Sequence, residues 1–254
     1  MRTAVFGGSF NPIHLGHLLL ADEVLETLGA DRVLFVPAGE PPHKSAATVA
    51  PAADRLAMVS LAIAGHPGFE VSDIEVRRAG ASYTVDTLAV LARPGDELFL
   101  VLGSEMFLDL LTWRQPRRIA GLARLVVVPR SGSAFDPESA AAQKVLHAIG
   151  LERFASVPVE TAPPSSVLVV HATSLPLSAS DLRRRVRQGR SLAYRVPEAV
   201  AEYIRAHGLY RDQDHGACTA ERGATRTATE SSSDNRAPGR SIVARTEPRG
   251  GRTA

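Results

Sequence analysis

Gly7-Gly8-Ser9-Phe10-Asn11-Pro12-Ile13-His14-Leu15-Gly16-His17 stands directly behind the run Thr3-Ala4-Val5-Phe6 and leads into a helical pattern from His14 to Leu28. A short apolar run followed by two glycines reads as a buried strand opening onto a tight turn. Glycines there leave room for a ligand's phosphates to approach the backbone. The amides at the helix start offer donors in a field that favours anions. The stretch is not a P-loop, because no Gly-Lys-Ser/Thr follows, nor a dinucleotide fingerprint, because Gly-x-Gly-x-x-Gly is missing. His14 and His17 are three residues apart, which places both imidazoles on one face of a first helical turn, with Gly16 keeping that face uncrowded. Such rings can donate to phosphoryl oxygens and, when protonated, stabilise charge that builds up during transfer. Taken alone, a His-x-x-His pair also reads as a metal site or as two half-buried surface histidines.

Working outward, further apolar runs occur at Val33 to Val36, Phe69 to Val71, Leu98 to Leu102, Leu125 to Val128 and Val167 to Val170, each reading as a buried strand. Helical spacing marks Ala52 to Ala64, Val85 to Leu91, Glu138 to Ile149, Ser180 to Arg187 and Pro197 to Ala206, and Gly29 is placed to end the first helix. This alternation predicts an α/β fold, a Rossmann-like, doubly wound parallel sheet with helices on both faces, and function in the loops that follow strands. The pattern supports one domain over residues 1–211. From 212 to 254 the apolar periodicity is lost in Thr, Ser, Gly, Arg, Glu and Pro, which reads as a disordered tail.

The composition of 254 residues, 44% hydrophobic and 22% charged, can bury a full core. A net charge of +2 is too small to argue for a nucleic-acid surface, so no nucleic-acid partner is expected. One cysteine, Cys218, allows no disulfide within the chain and suits a reducing compartment, and the cytoplasm is the expected location. No signal-peptide pattern opens the chain, and no apolar run approaches the roughly 18 to 20 residues needed to span a bilayer, so no membrane is expected.

Four further segments carry chemistry. Pro41-Pro42-His43-Lys44 follows the second strand on a stiff loop, and Lys44 is one of two lysines in an arginine-biased chain; its ammonium could reach the β- and γ-phosphates of a nucleotide. Ser82-Tyr83-Thr84-Val85-Asp86-Thr87 opens a helix, where a hydroxyl can cap and free amides can hold a carboxylate. Leu102-Gly103-Ser104-Glu105 ends the fourth strand and is followed by Thr112-Trp113-Arg114; a lone tryptophan is most often a core residue. Leu177-Ser178-Ala179-Ser180-Asp181-Leu182-Arg183 can cap a helix through Ser178 or Ser180 and bind phosphate oxygens through the fork of Arg183.

The segment Gly8 to His17 resembles the nucleotide-binding motif of the His-x-Gly-His nucleotidyltransferases, relatives of class I aminoacyl-tRNA synthetases. Together with Pro-Pro-His-Lys, Ser-Tyr-Thr-x-Asp-Thr and the segment ending at Arg183, it is similar to the bacterial nicotinate-nucleotide adenylyltransferase family. The resemblance implies adenylyl transfer from ATP to nicotinate mononucleotide with magnesium, giving deamido-NAD and pyrophosphate. It implies catalytic roles for His14, His17, Lys44 and Arg183. Gly8, Ser9, Phe10, Gly103, Glu105, Ser178 and Ser180 would meet ATP, and Tyr83, Thr84 and Trp113 the pyridine substrate. No residue is expected to ligate a metal. Glu105 stands where the family more often has Asp, and Ala179 replaces a hydroxyl residue, which removes one phosphate contact. The attacking phosphate is already an oxyanion, so the chemistry needs no paired base, consistent with the lack of an obvious activated nucleophile. Other readings are nicotinamide mononucleotide or phosphopantetheine as acceptor, a regulator that binds ATP without turnover, and an interaction protein acting through its tail.

Overall fold

The computed structural model describes residues 1–39, 49–129, 135–156 and 158–211. Seven strands form one sheet: β1 (Arg2–Gly8), β2 (Arg32–Pro37), β3 (Phe69–Val71), β4 (Glu97–Gly103), β5 (Arg124–Val128), β6 (Arg153–Ser156) and β7 (Ser166–Val169). Their order is β3-β2-β1-β4-β5-β7-β6, and every pairing is parallel. From β1 the chain winds outward through β2 to β3, then returns to the other side of β1 and winds outward through β4 and β5 to β6 at the edge, with β7 inserted between β5 and β6. The direction of winding therefore reverses between β1 and β4, and in open parallel sheets ligands settle in the crevice beyond the carboxyl ends of such a strand pair. Both of these strands end in glycine, Gly8 and Gly103.

Alternation along the strands feeds two cores. Ala4, Phe99 and Val101 face one layer, while Val5, Leu98, Leu100 and Leu102 face the other. The first layer is closed by α1 (Leu15–Leu28), α2 (Ala52–Ile63) and α8 (Glu198–Ala206), through Val24, Leu28, Met58, Val59, Val200 and Ile204. The second is closed by α3 (Thr84–Leu91), α5 (Pro116–Leu122) and α6 (Ala140–Ala148), through Val85, Leu88, Ile119, Val145 and Leu146. Each such side chain contributes roughly 1.5 to 3 kcal/mol when fully buried, so these two layers hold the sheet between them. Two further helices, α4 (Ser104–Leu108) and α7 (Ala179–Arg187), begin beside the carboxyl ends of strands.

All six expected strands are present, and β6 is added at one edge. α4, α5 and 3-10 turns at Leu110–Thr112 and Val159–Thr161 are likewise additions to the sequence reading. Gly29 ends α1 in the left-handed region, φ 54°, with its amide donating to Glu26 O and that of Ala30 to Leu25 O, the arrangement expected of a glycine at this position. The tail expected over 212–254 lies outside the described residues. Among the described residues, no helix is long and apolar enough to cross a membrane.

Candidate active site

The turn after β1 is tied down on its far side. Asn11 is 2% exposed, its side-chain oxygen accepts from the Ala50 amide at 3.0 Å, and its carbonyl accepts from Arg183 Nη1 at 2.8 Å. Phe10 is buried with φ 43° and its ring sits over Gly8, where an added Cβ would lie 3.2 Å from Phe10 Cζ. A side chain at Gly8 would therefore press on a ring fixed within the first core layer.

His14 is the residue preceding α1, buried and extended, and the helix itself begins at Leu15. Its ring stacks on that of His17, with centroids 3.7 Å apart and an interplanar angle of 26°, so the three-residue spacing does bring both imidazoles to one face. His17 Nδ1 accepts from the His14 backbone amide at 3.2 Å. A neutral His17 then carries its proton on Nε2, which leaves that nitrogen as the ring's donor. A Cβ at Gly16 would stand 3.1 Å from His14 Nδ1, so glycine leaves this ring its place.

The cradle of helix-start amides is smaller than the sequence suggests. The Leu15 amide donates to Arg195 O at 2.9 Å and the His17 amide to His14 O at 2.9 Å. Among the described residues, the Gly16 amide is the first-turn donor left without a backbone acceptor. The reason is tertiary: the segment before α8 lays a carbonyl over the helix start.

Arg183, on α7, grips the turn through Asn11 and also donates from Nη2 to Ser180 Oγ at 3.2 Å. Ser178 caps α7, its Oγ accepting from the Asp181 amide at 3.1 Å, so of the two candidate hydroxyls Ser178 is the cap and Ser180 turns to the arginine. Burial holds the Arg183 guanidinium below its ordinary pKa, but arginine stays charged at any ordinary pH. Ser9, Gly8 and Phe10 lie in this turn, and Gly103 and the exposed Glu105 lie at the neighbouring end of β4 and the first turn of α4.

A second cluster gathers the pyridine candidates. Arg114 places its guanidinium 4.8 Å from the centroid of the Tyr83 ring and reaches Asp86 at 3.8 Å, bringing the 112–114 and 82–87 segments together. Trp113 is half-buried and packs against the second core layer. The expected hydroxyl cap of α3 is not formed. Tyr83 occupies the cap position without a side-chain bond, and Ser82 Oγ is buried with no hydrogen-bond partner among the described residues, because it lies one residue too early to reach the helix amides. The Asp86 and Thr87 amides donate to Tyr83 O, which among the described residues leaves those of Thr84 and Val85 without backbone acceptors. Lys44, with Pro41, Pro42 and His43, lies outside the described residues.

Four residues without an assigned role in the sequence reading, Arg55, Gly39, Glu75 and Arg78, support this geometry. Arg55 on α2 is 1% exposed and donates to three backbone carbonyls. Gly39 approaches the Glu75 backbone so closely that no side chain fits. Glu75 accepts from Thr87 Oγ1 at 2.7 Å, and Arg78 donates to the same hydroxyl at 3.1 Å, bracing α3 from below. Burial raises the Glu75 carboxyl above the ordinary carboxylate range, while Thr87 and Arg78 pull the other way. A carboxyl whose pKa is raised by folding favours the folded state when protonated, and that contribution is lost as the pH climbs through the raised value. Glu75→Gln is therefore expected to melt a few degrees above wild type near pH 7.5, with the gain vanishing near pH 4. Thermal melts at both pH values check this, and an equal offset at the two would show that charge is not the cause.

A family model described as cytidylyltransferase-like matches residues 5–185. A protein of Thermomicrobium roseum named probable nicotinate-nucleotide adenylyltransferase is 44% identical over 212 residues, 83% of this chain and 92% of its own. One of the same name from Thermus thermophilus is 44% identical over 213 residues, 83% of this chain and 100% of its own. The solved structure of Plasmodium falciparum nicotinic acid mononucleotide adenylyltransferase complexed with NaAD superposes with a TM-score of 0.63 at 17% identity, covering 82% of this chain and 97% of that one. At that identity the likeness bears on the fold.

Proposed function

The chain belongs to the nicotinate-nucleotide adenylyltransferase family, within the cytidylyltransferase-like group, and from that premise we propose that it transfers the adenylyl group of ATP to nicotinate mononucleotide. The observation that carries this reading is the stacked His14–His17 pair on a turn clamped by Arg183, at the point where the sheet reverses its winding. A phosphate oxygen of the mononucleotide attacks the α-phosphorus of ATP, the bond from that phosphorus to the bridging oxygen of the β-phosphate breaks, and pyrophosphate leaves as deamido-NAD forms. The attacking oxygen needs no base, so the protein's task is to align two anions and offset the charge growing at the α-phosphate. Alignment by itself can supply roughly 7 to 11 kcal/mol.

In this reading His17 donates from Nε2 and His14 assists it beside the same phosphate. Gly8, Ser9 and Phe10 let the triphosphate approach the backbone, and Ser178 and Ser180 position α7 and Arg183 behind it. Gly103 and Glu105 face the nucleoside, and Lys44 meets the leaving pyrophosphate. The side chains gathered at the turn are imidazoles and a guanidinium, donors that suit an anion, so magnesium would arrive on the triphosphate and be held there by the substrate. When bound, it neutralises phosphate charge. Trp113 and Tyr83 would flank the pyridine ring, and the Thr84 and Val85 amides would receive its carboxylate, which favours nicotinate over the neutral nicotinamide. The cytoplasm is the proposed location, in keeping with the single cysteine.

Pyrophosphate release from ATP and magnesium, measured with each mononucleotide in turn, tests the proposal. Nicotinate mononucleotide is expected to give at least about tenfold higher kcat/KM than nicotinamide mononucleotide, as charge-assisted bonds to a carboxylate exceed those to an amide. Equal or reversed values would overturn the acceptor assignment. Release with neither acceptor would point to a nucleotide-binding regulator.

A further inference from the structure

Arg55 is the largest fully buried side chain of the described residues, and its three donors go to three separate loops. Nη1 donates to Ser9 O at 2.9 Å, in the turn after β1. Nη2 donates to Gly39 O at 2.7 Å, beyond the end of β2. Nε donates to Ala50 O at 2.9 Å, at the entry to α2. Among the described residues no carboxylate pairs with it, so its charge is met by carbonyl dipoles. A buried cation is costly unless its donors are satisfied, so large effects are expected where its carbonyl partners are disturbed.

The bond to Ser9 has a directional consequence. In a trans peptide the carbonyl and the following amide point in opposite directions. Holding the Ser9 carbonyl towards α2 therefore turns the Phe10 N–H away from α2. Arg183 holds the next carbonyl but one, that of Asn11, from α7. Two guanidiniums thus grasp one turn by its carbonyls, Arg55 fixing the orientation of the Ser9–Phe10 peptide and Arg183 that of the Asn11–Pro12 peptide.

The geometry points to Arg55 as a positioning residue for ATP: by fixing the Ser9–Phe10 peptide and tying it to the loop beyond β2, it presents the Phe10 amide to the triphosphate. This rests on the nucleotide reading of the turn given above. Arg55 touches no substrate in this role and acts through the backbone. Its positive charge, unmatched by a carboxylate among the described residues, also makes the turn a more favourable place for a polyanion.

Arg55→Met keeps much of the volume and removes every donor, and Arg55→Lys keeps the charge but not the fork. With folding verified by circular dichroism, kcat/KM for ATP should fall by about ten- to a hundredfold in Arg55→Met, while KM for nicotinate mononucleotide stays within about threefold. Arg55→Lys should recover part of the loss. Folded variants with wild-type ATP kinetics, or with both KM values shifted alike, would overturn the inference. Because the substitution can also prevent folding, a second measurement uses the wild-type protein: the Arg55 guanidinium 15N resonances should shift on adding a non-hydrolysable ATP analogue and not on adding nicotinate mononucleotide. Unchanged resonances with the analogue would overturn it as well. Wild-type turnover in the same preparation separates the two ideas, since an inactive wild type counts against the adenylyltransferase reading, and an active wild type with unaffected variants counts against Arg55 alone.

Discussion

His17→Ala is expected to slow single-turnover adenylyl transfer by about a hundredfold, the size of effect seen when one preorganised donor to a developing oxyanion is removed. The His17 ring is held at one nitrogen and on one face. Its Nδ1 accepts from the His14 amide and its plane is stacked on the His14 ring, so the neutral ring carries its proton on Nε2 and donates from there. The substitution also releases the His14 amide, so some loss of order at the start of α1 is expected. His17 is only half-buried, however, and the melting temperature should move little. Rapid-quench measurement of the first turnover, with saturating substrates, checks the prediction. A rate within threefold of wild type would remove His17 from the chemistry.

Gly39→Ala should be the most damaging small substitution at the edge of the site. A Cβ there would lie 2.2 Å from the Glu75 carbonyl oxygen and 3.1 Å from its carbon, and both are backbone atoms that no rotamer change can move. The chain beyond β2 has to shift, and with it the Gly39 carbonyl that Arg55 holds. Overpacking of this kind typically costs 1 to 3 kcal/mol, and displacing an acceptor of a buried guanidinium adds to it, so a loss of about 3 kcal/mol or more is expected. Urea unfolding would measure it. A variant within about 0.5 kcal/mol of wild type would mean that the two segments part without penalty.

The central strands were legible because Ala4-Val5, Leu34-Phe35 and Phe99-Leu100 lie in a parallel sheet covered on both faces, which demands unbroken apolar runs. β6 escaped that logic. Arg153-Phe154-Ala155-Ser156 is an edge strand with both ends exposed, so it carries no such run. α4 and α5 are five and seven residues long, too short to show a helical period. At the site, the spacing of His14 and His17 was enough to predict a shared face, because a helical turn is a local structure. Arg55 was not found, since an arginine on a helix reads as solvent-facing and its acceptors, as close as 5 and as far as 46 positions away, are backbone atoms with no sequence signature. That one of the helix-start amides, that of Leu15, is already satisfied could not be read from the sequence for the same kind of reason: its acceptor, Arg195 O, comes from the segment just before α8.

The bond from Arg183 to Asn11 spans 172 positions of chain. During synthesis β1 and the histidines behind it leave the ribosome long before α7, which carries the partner that secures their turn. An unfinished polypeptide therefore has the histidine motif without the clamp, and in a nascent chain stalled ahead of α7 the turn proposed to seat the nucleotide has not yet been secured.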